Sequence, residues 1–523
     1  MLTPTLPAGD YDTVRAAFRW PMAARMNMGA QTVDDPADAD ADAPAVLEWS
    51  DEGVSSTTRG QLRDMTDRLA HVLDARPGER VGVLRTQSAW TAAAHAAVWK
   101  SGAISVPLFK LFGDEALRLR LSDAGIRTVV TDPEGRALLA PFDLRVIVPE
   151  ETALPDAGPF AAAPTGPDDP AVMIYTSGTT GTPKGALHGH RVLIGHLPGV
   201  EMSHDRLVPG RDVLWTPADW AWIGGLFDVA MPALALGVPV VAARLPKFDA
   251  ATCARLIAEC GVTATFLPPT ALRMLRAAEA TIPGLRSVAS GGETLGAEML
   301  DWGRHAFGLE INEFYGQTEC NMVAASASSL FAPRPGSIGK AVPGFEVRVI
   351  DAGGQITDGE GDIAIRSHSA DGGAASMFLG YWNRPEATAE KFRGDWLVTG
   401  DRGLIEDGYI RFVGRDDDVI TSSGYRIGPS EIEDVLLKHP AVAAAGVIGK
   451  PDPLRTEIVK AYVVLRGGFA ASDALAAELQ DHARVHCAAY SYPREIAFLD
   501  ALPMTVTGKV MRRELRKLAE AET

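Results

Sequence analysis

Eleven residues, YTSGTTGTPKG from Tyr175 to Gly185, hold three glycines, four threonines, one serine and one lysine. Glycines let backbone N–H groups turn inward without a Cβ in the way. Such a nest, with hydroxyl donors and one ammonium beside it, makes a cradle for phosphate. It is not a loop of the form GxxxxGK[ST], because Pro183 precedes Lys184 and Gly185 follows it. On composition alone a polar surface loop is the alternative. The four cysteines, Cys253, Cys260, Cys320 and Cys487, have neither zinc-ligand nor redox spacing. Cys253 and Cys260 are seven apart and read as packing residues on one helix face.

The elements that must position this loop follow an α/β rhythm. AVMIY, just before the loop, reads as a strand. QLRDMTDRLAHVLDA is an amphipathic helix, RVGVL a short apolar strand, WTAAAHAAVWKSG a helix ended by Gly102, and ISVPL another strand. The alternation repeats in CARLIAECG with VTATFLPP, and in AEMLDWGRHAFG with LEINEFYG. That order predicts largely parallel, buried sheets flanked by helices. From about residue 340 the strands shorten, as FEVRVID, GDIAIRS and YIRFVGR, between Gly/Asp turns. From about residue 418, SEIEDVLLKHP, AAAGVIG, KAYVVLR and ASDALAAELQDHARVHC could build a small domain of their own.

A chain of 523 residues is too long for one core, which predicts two or more domains. A net charge of −17 argues against nucleic acid as the main partner and against a basic membrane-surface protein. The run DDPADADADAP reads as a solvated loop. The most apolar segment, Gly224 to Pro246, contains Asp228, Pro232 and Pro239 and reads as a buried helix followed by the strand VPVVAA, not as a membrane span. MLTPTLPAGDYD has no basic stretch followed by an apolar one, so no signal peptide is expected. Few, scattered thiols suit a reducing compartment, and the expected location is cytoplasmic with no stable membrane association.

TSGTTGTPKG resembles the signature of the adenylate-forming superfamily, which holds acyl-CoA synthetases, luciferases and the adenylation domains of peptide synthetases. Further motifs resembling that family follow in its order: SGGE, NEFYGQTE, TGD, GRDDDVITSSGYRIGPSEIE and PMTVTGKVMRRE, so the resemblance covers nearly the whole chain. It implies a two-step reaction using ATP, Mg2+ and coenzyme A: a carboxylate becomes an acyl-adenylate, and the CoA thiol then displaces AMP. The loop Thr176, Ser177, Gly178, Thr179, Thr180, Gly181 and Lys184 would hold the β- and γ-phosphates, Thr318 the α-phosphate, and Glu319 the metal. Gly292, Glu293 and Tyr315 would border adenine, with Asn312, Gly316 and Gln317 in the same motif wall. Asp401 and Arg415 would meet the ribose, and Arg426 would serve the adenylating state. Lys509 matches the lysine on which adenylation depends; the bland alternative is a surface lysine before Arg512, Arg513, Arg516 and Lys517. An ammonium there would offset the repulsion between a carboxylate and the α-phosphoryl oxygens. Met504 departs from the lysine or arginine common at its position.

The resemblance also implies two orientations of a mobile part. The expected organisation is a multi-subdomain N-terminal domain, 1–414, with mostly parallel sheets and a small β-region, a hinge at 415–417 pivoting on Asp417, and an α+β lid, 418–523. In the second orientation Ser422, Ser423, Gly424 and Tyr425 would face the pantetheine of CoA. Acetylation of Lys509, by a lysine acetyltransferase opposed by a deacetylase, would act as an off-switch.

For the acid, His190, Trp220, Trp222, Gly224, Gly316 and Cys320 are the expected lining. Acetate-specialised relatives carry tryptophan where Gly316 stands, so an open pocket is expected. LPKFD and the DDDVITSSGYRIGPSEIE segment look most like the medium-chain branch, and short- to medium-chain, branched or aromatic acids are the expected substrates. In an apolar tunnel each methylene gains ~0.8 kcal/mol, about fourfold in kcat/KM. Cys320 and Asn321 depart from the usual Thr-Gly after the glutamate. A stand-alone adenylation enzyme loading a carrier protein remains the alternative, although no carrier domain follows Thr523 and Gly224 stands where amino-acid-activating domains keep an aspartate. A luciferase-like oxygenase and a non-catalytic binding protein are further, weaker readings.

Overall fold

The structure is a computed structural model that describes the chain apart from residues 1–5, 35–39, 177–182, 246–247, 293–294, 368–373, 416–417, 423–424, 453–454, 488–490, 506–508 and 523. Much of the acidic run therefore lies outside the described residues.

Local chemistry fixes the elements where the sequence pattern puts them. Thr58 and Gln61 form a reciprocal capping box that starts the helix Arg59–Leu73, whose buried face includes Leu62, Leu69 and Leu73. Asp249 caps the helix Ala250–Cys260, and Gly261 ends it at φ 62°, a left-handed conformation that glycine adopts without strain. Both of that helix's cysteines are buried.

A fourteen-stranded sheet is formed among the described residues. Its parallel half runs through Pro44–Ser50, Val240–Ala243, Leu214–Trp215, Ala264–Phe266, Ser287–Gly291 and Ile311–Gln317. The direction reverses at Cys320–Ala325. The short-stranded region does not stand apart: Lys340–Ala341 joins Cys320–Ala325 to Tyr409–Arg415, and Trp396–Glu406, Gly361–Arg366 and Val347–Ile350 continue the same sheet. A seven-stranded sheet has a parallel block, Arg145–Ile147, Thr128–Thr131, Arg80–Leu84, Ile104–Pro107 and Pro170–Thr176, with an antiparallel edge of Lys184–Gly189 and Gly380–Tyr381. A five-stranded sheet lies wholly within residues after 418 and carries the helices Pro429–Leu437, Asp473–His486 and Arg512–Ala521.

The largest core is packed around the helix Val192–Ser203, every residue of which is buried. The apolar segment folds as a short helix, a π-helical turn at Leu226–Ala230, the helix Met231–Ala235 and then the strand Val240–Ala243. Among the described residues no helix is long and apolar enough to cross a membrane. The π turn carries Asp228 into the core at 3% exposure, and such turns often mark functional positions.

Candidate active site

The hairpin of Pro170–Thr176 and Lys184–Gly189 pairs Thr176 with Lys184 and Tyr175 with Gly185. Thr176 Oγ1 donates to the Lys184 carbonyl at 3.4 Å. Two extended strands thus clamp the ends of the Gly/Thr loop; Ser177, Gly178, Thr179, Thr180 and Gly181 lie outside the described residues. Lys184 Nζ stands 5.1 Å from the centroid of the Tyr381 ring. Tyr381 Oη donates in turn to Glu319 Oε1. One oxygen of a buried carboxylate is so fixed in place beside a lysine of the loop strand.

Lys391 joins this group although no motif announced it. Its Nζ donates to Gln317 Oε1 at 2.9 Å and to the Thr399 carbonyl at 3.3 Å. Burial pushes its pKa down, while the charges of Glu319 and Asp401 pull it back up. Gln317 also donates from Nε2 to Thr399 O at 3.0 Å, so its amide braces the wall.

Asp401 and Arg415, the residues expected to meet the ribose, face each other across the Trp396–Glu406 and Tyr409–Arg415 strands. Arg415 Nε lies 3.6 Å from Asp401 Oδ1, and Tyr315 Oη donates to Asp401 Oδ2 at 2.5 Å. Burial raises the pKa of Asp401, and Arg415 opposes the rise. Gly292 has φ +100°, and a Cβ built on it would lie 3.8 Å from Lys509 Cε and 3.8 Å from the Trp222 ring. Lys509 therefore reaches the cleft from the C-terminal part, close enough to act on the Asp401 charge. A small hairpin holds it: Thr505 N–H donates to Lys509 O at 2.8 Å, and Lys509 N–H to Thr505 Oγ1 at 3.0 Å. Next to it Arg512 makes two 2.7 Å bonds to Glu433. Glu293, Asp417, Ser423 and Gly424 lie outside the described residues. Ser422 is buried on the strand Ile420–Ser422, opposite Tyr425, and Arg426 pairs with Thr421 in the same ladder.

One expected nucleotide residue is spent elsewhere. Asn312 donates to Ser203 O and to Asp205 Oδ2, both at 3.0 Å, and accepts from Ser328 N–H at 3.1 Å. Fully buried, with both donors and its acceptor used by protein, it ties two loops together and offers the nucleotide nothing. Asn312→Ala should lower stability by about 1–3 kcal/mol; denaturant titration checks it, and unchanged stability would contradict the assignment.

The acyl-side expectations separate. Trp222 is half-buried, packs on Phe266 at 6.0 Å, and lies 2.8 Å from a Cβ built on Gly224. Trp220 is fully buried in the largest core and its Nε1 has no partner, which makes it a packing residue. His190 Nδ1 accepts from Met28 N–H at 3.0 Å, and burial pushes its pKa to about 4, so it stays neutral. It pins the N-terminal segment; among the described residues none of its hydrogen bonds runs to the other acyl-side residues. Cys320 is buried 3.8 Å from Ser376 Oγ, its thiol pushed up to about 12, which makes it inert as a nucleophile. Gly316 leaves no open space: a Cβ there would lie 2.0 Å from Asn321 Oδ1.

The C-terminal part meets the rest at the helix Pro429–Leu437, where Asp434 Oδ1 lies 2.8 Å from a Cβ built on Gly296. Burial pushes the Asp434 pKa up to about 7; Glu433 and Glu298 add to the rise, and Lys438 and Arg273 oppose it. A carboxyl whose pKa is raised in the docked state favours that state fully below the free value near 4 and loses the effect as pH climbs through 7. The contact at this helix should therefore weaken from pH 5 to 8. Asp434→Asn should flatten the fall of stability with pH in thermal melts; an unchanged pH profile would remove Asp434 as its source.

Residues 33–382 match the AMP-binding enzyme family, and residues 431–509 match the AMP-binding enzyme C-terminal domain. The human mitochondrial acyl-coenzyme A synthetase ACSM2B is 39% identical over 363 residues, 67% of this chain and 62% of that protein, so the chain spans less than two thirds of its length. The acetyl-coenzyme A synthetase of Bacillus subtilis is 34% identical over 488 residues, 87% of this chain and 84% of the relative. The crystal structure of an acyl-CoA synthetase from Brucella canis superposes with a TM-score of 0.73 at 33% identity, covering 98% of this chain and 100% of the other. A match of this extent runs through the cleft-forming strands and the Lys509-bearing part alike, and makes the chain a member of the AMP-binding enzyme family.

Proposed function

We propose that the chain is an AMP-forming acyl-CoA synthetase. A carboxylate oxygen attacks the α-phosphorus of ATP, the bond to pyrophosphate breaks, and an acyl-adenylate forms. The sulfur of CoA then attacks the acyl carbon and AMP leaves. The observation that carries this reading is the approach of Lys509 to Gly292, Trp222 and Asp401, because it brings a cation from the C-terminal part between the ribose side and the acyl side.

Each group has a distinct task in the first step. Lys184, with the Gly/Thr loop it closes, would bind the phosphates that leave. Lys391 adds a second cation deeper in the cleft, between Glu319 and Asp401. Asp401 and Arg415 would hold the ribose, with the Tyr315 hydroxyl fixing the carboxylate. Lys509 would offset the charge that builds on the α-phosphoryl oxygens. Glu319 suits Mg2+, since Tyr381 engages only Oε1 and a hard cation completes its shell with water and phosphate oxygens. Bound there, the ion would neutralise phosphate charge.

For the second step a swing about Asp417 would bring Ser422, Ser423, Gly424 and Tyr425 to the cleft. Release of pyrophosphate, which favours one orientation, would shift the population to the other. Acetylation of Lys509 would block the first step by removing its charge. Thiols at Cys253, Cys260 and Cys320, buried and outside any disulfide, support a reducing, cytoplasmic setting.

CoA-dependent AMP release across acids from acetate to decanoate, with branched and aromatic members, tests the proposal. Turnover of at least one class with free CoA is the expected result. Adenylate formation that discharges only onto a carrier-protein thiol would replace it with the carrier-loading alternative.

A further inference from the structure

This inference rests on the synthetase reading and concerns its acid. The strand Ile311–Gln317 pairs with its return strand Cys320–Ala325, and Asn321 ties that return strand to the π turn at Leu226–Ala230. There the volume a side chain at position 316 would need is filled by Asn321: a Cβ on Gly316 would lie 2.0 Å from Asn321 Oδ1 and 2.8 Å from Asn321 Cα. Asn321 Nδ2 donates to Asp228 Oδ1 at 2.8 Å. His196 Nε2 lies 3.8 Å from the same oxygen, while its Nδ1 donates to Val192 O at 2.8 Å. The neutral ring therefore carries its proton on Nδ1 and presents Nε2 as an acceptor.

What remains unused is as informative as what is bonded. Among the described residues, His196 Nε2 is buried without a hydrogen-bond partner, and the Asn321–Asp228 bond uses Nδ2 and Oδ1, leaving Asn321 Oδ1 and Asp228 Oδ2 outside it. All three residues are at most 5% exposed. Burial raises the pKa of the Asp228 carboxyl well above the usual carboxylate range, so this group can hold a proton and either donate or accept. Asn321 Oδ1 and His196 Nε2 remain as buried acceptors, which are unfavourable against a plain alkyl chain. A group that brings its own N–H or O–H meets them at no such cost.

We propose that Asn321, Asp228 and His196 form a polar floor to the acyl pocket, and that the acid this chain activates carries a hydrogen-bond donor, a hydroxyl or an amine, on its far end. Asn321 Oδ1 accepts from the donor at the wall beside Gly316, and the Asp228 carboxyl meets the group that reaches past it. The floor takes the place of the apolar tunnel that glycine at 316 leads one to expect.

Isosteric pairs decide it: 3-hydroxybenzoate against 3-methylbenzoate, and 4-hydroxybutanoate and 4-aminobutanoate against pentanoate. Each is measured by CoA-dependent AMP release and by calorimetric binding to the wild-type chain. The donor-bearing member should win by about tenfold or more in kcat/KM and in affinity. The amine and hydroxyl arms show which donor the floor takes. Asn321→Leu and, separately, Asp228→Leu should erase or invert the preference. A wild-type preference for the methyl members would overturn the proposal without any variant, and so would a donor preference that survives both substitutions. No turnover of any acid, with the donor-bearing members still binding more tightly, would sink the synthetase reading and uphold the floor; equal binding would sink the floor.

Discussion

Lys509→Ala is expected to lower acyl-adenylate formation by about 10³-fold and to leave the conversion of premade acyl-adenylate to acyl-CoA within about threefold of wild type. Loss of one preorganised donor to a developing oxyanion costs about 10²–10³-fold, and a full charge sits at the upper end. The side chain is exposed and its hairpin rests on main-chain bonds and the Arg512–Glu433 pair, so truncation leaves the local fold in place. The melting temperature should not move. Pyrophosphate exchange reads the first step, and single-turnover thioester formation from synthetic adenylate reads the second. Equal loss in both would mean that Lys509 serves both steps and that the division of labour proposed above is wrong.

Lys391→Met is expected to lower pyrophosphate exchange by about 10²-fold while the melting temperature stays level or rises. The two effects have opposite signs for one reason. The ammonium is held in a half-buried place that pushes its pKa down, while the charges of Glu319 and Asp401 pull it back up. Keeping a cation there opposes folding. Its return is a positive charge, of low effective dielectric, where phosphate oxygens arrive. Methionine keeps the stem and removes the charge. A fall in melting temperature of more than about 4 °C with unchanged exchange would instead make Lys391 a structural brace for Gln317 and Thr399.

Much of this was legible from residue types. The strand before the Gly/Thr loop, the helix that ends just before Gly102, and the buried reading of the Gly224–Pro246 segment follow from periodicity and backbone chemistry, and the structure has them there. Sequence pattern is blind to who fills a given volume. Gly316 reads as missing bulk, yet Asn321, five positions on, occupies it. Asn312 sits inside a binding motif, but its amide is consumed by loops more than a hundred residues earlier in the chain. Tyr381 bonds a carboxylate 62 positions away, and Lys391 one wall further; neither spacing has a period that could announce it. Asp228 was visible only as an interruption in an apolar run, because its meaning depends on His196 and Asn321 from two other elements.

The cross-strand pair of Asp401 and Arg415 has one more implication. Arg415 is the last residue of a strand hydrogen-bonded into the fourteen-stranded sheet, and the five-stranded sheet begins only at Ile420. A ribose gripped by that pair is gripped at the very edge of the rigid body, a few peptide bonds from the proposed pivot. Nucleotide occupancy and the swing of the C-terminal part then share one mechanical joint, like a hand closing on the hinge pin of a door. Thermodynamic reciprocity requires traffic both ways: whatever angle AMP prefers at this joint, forcing that angle must tighten AMP by the same factor.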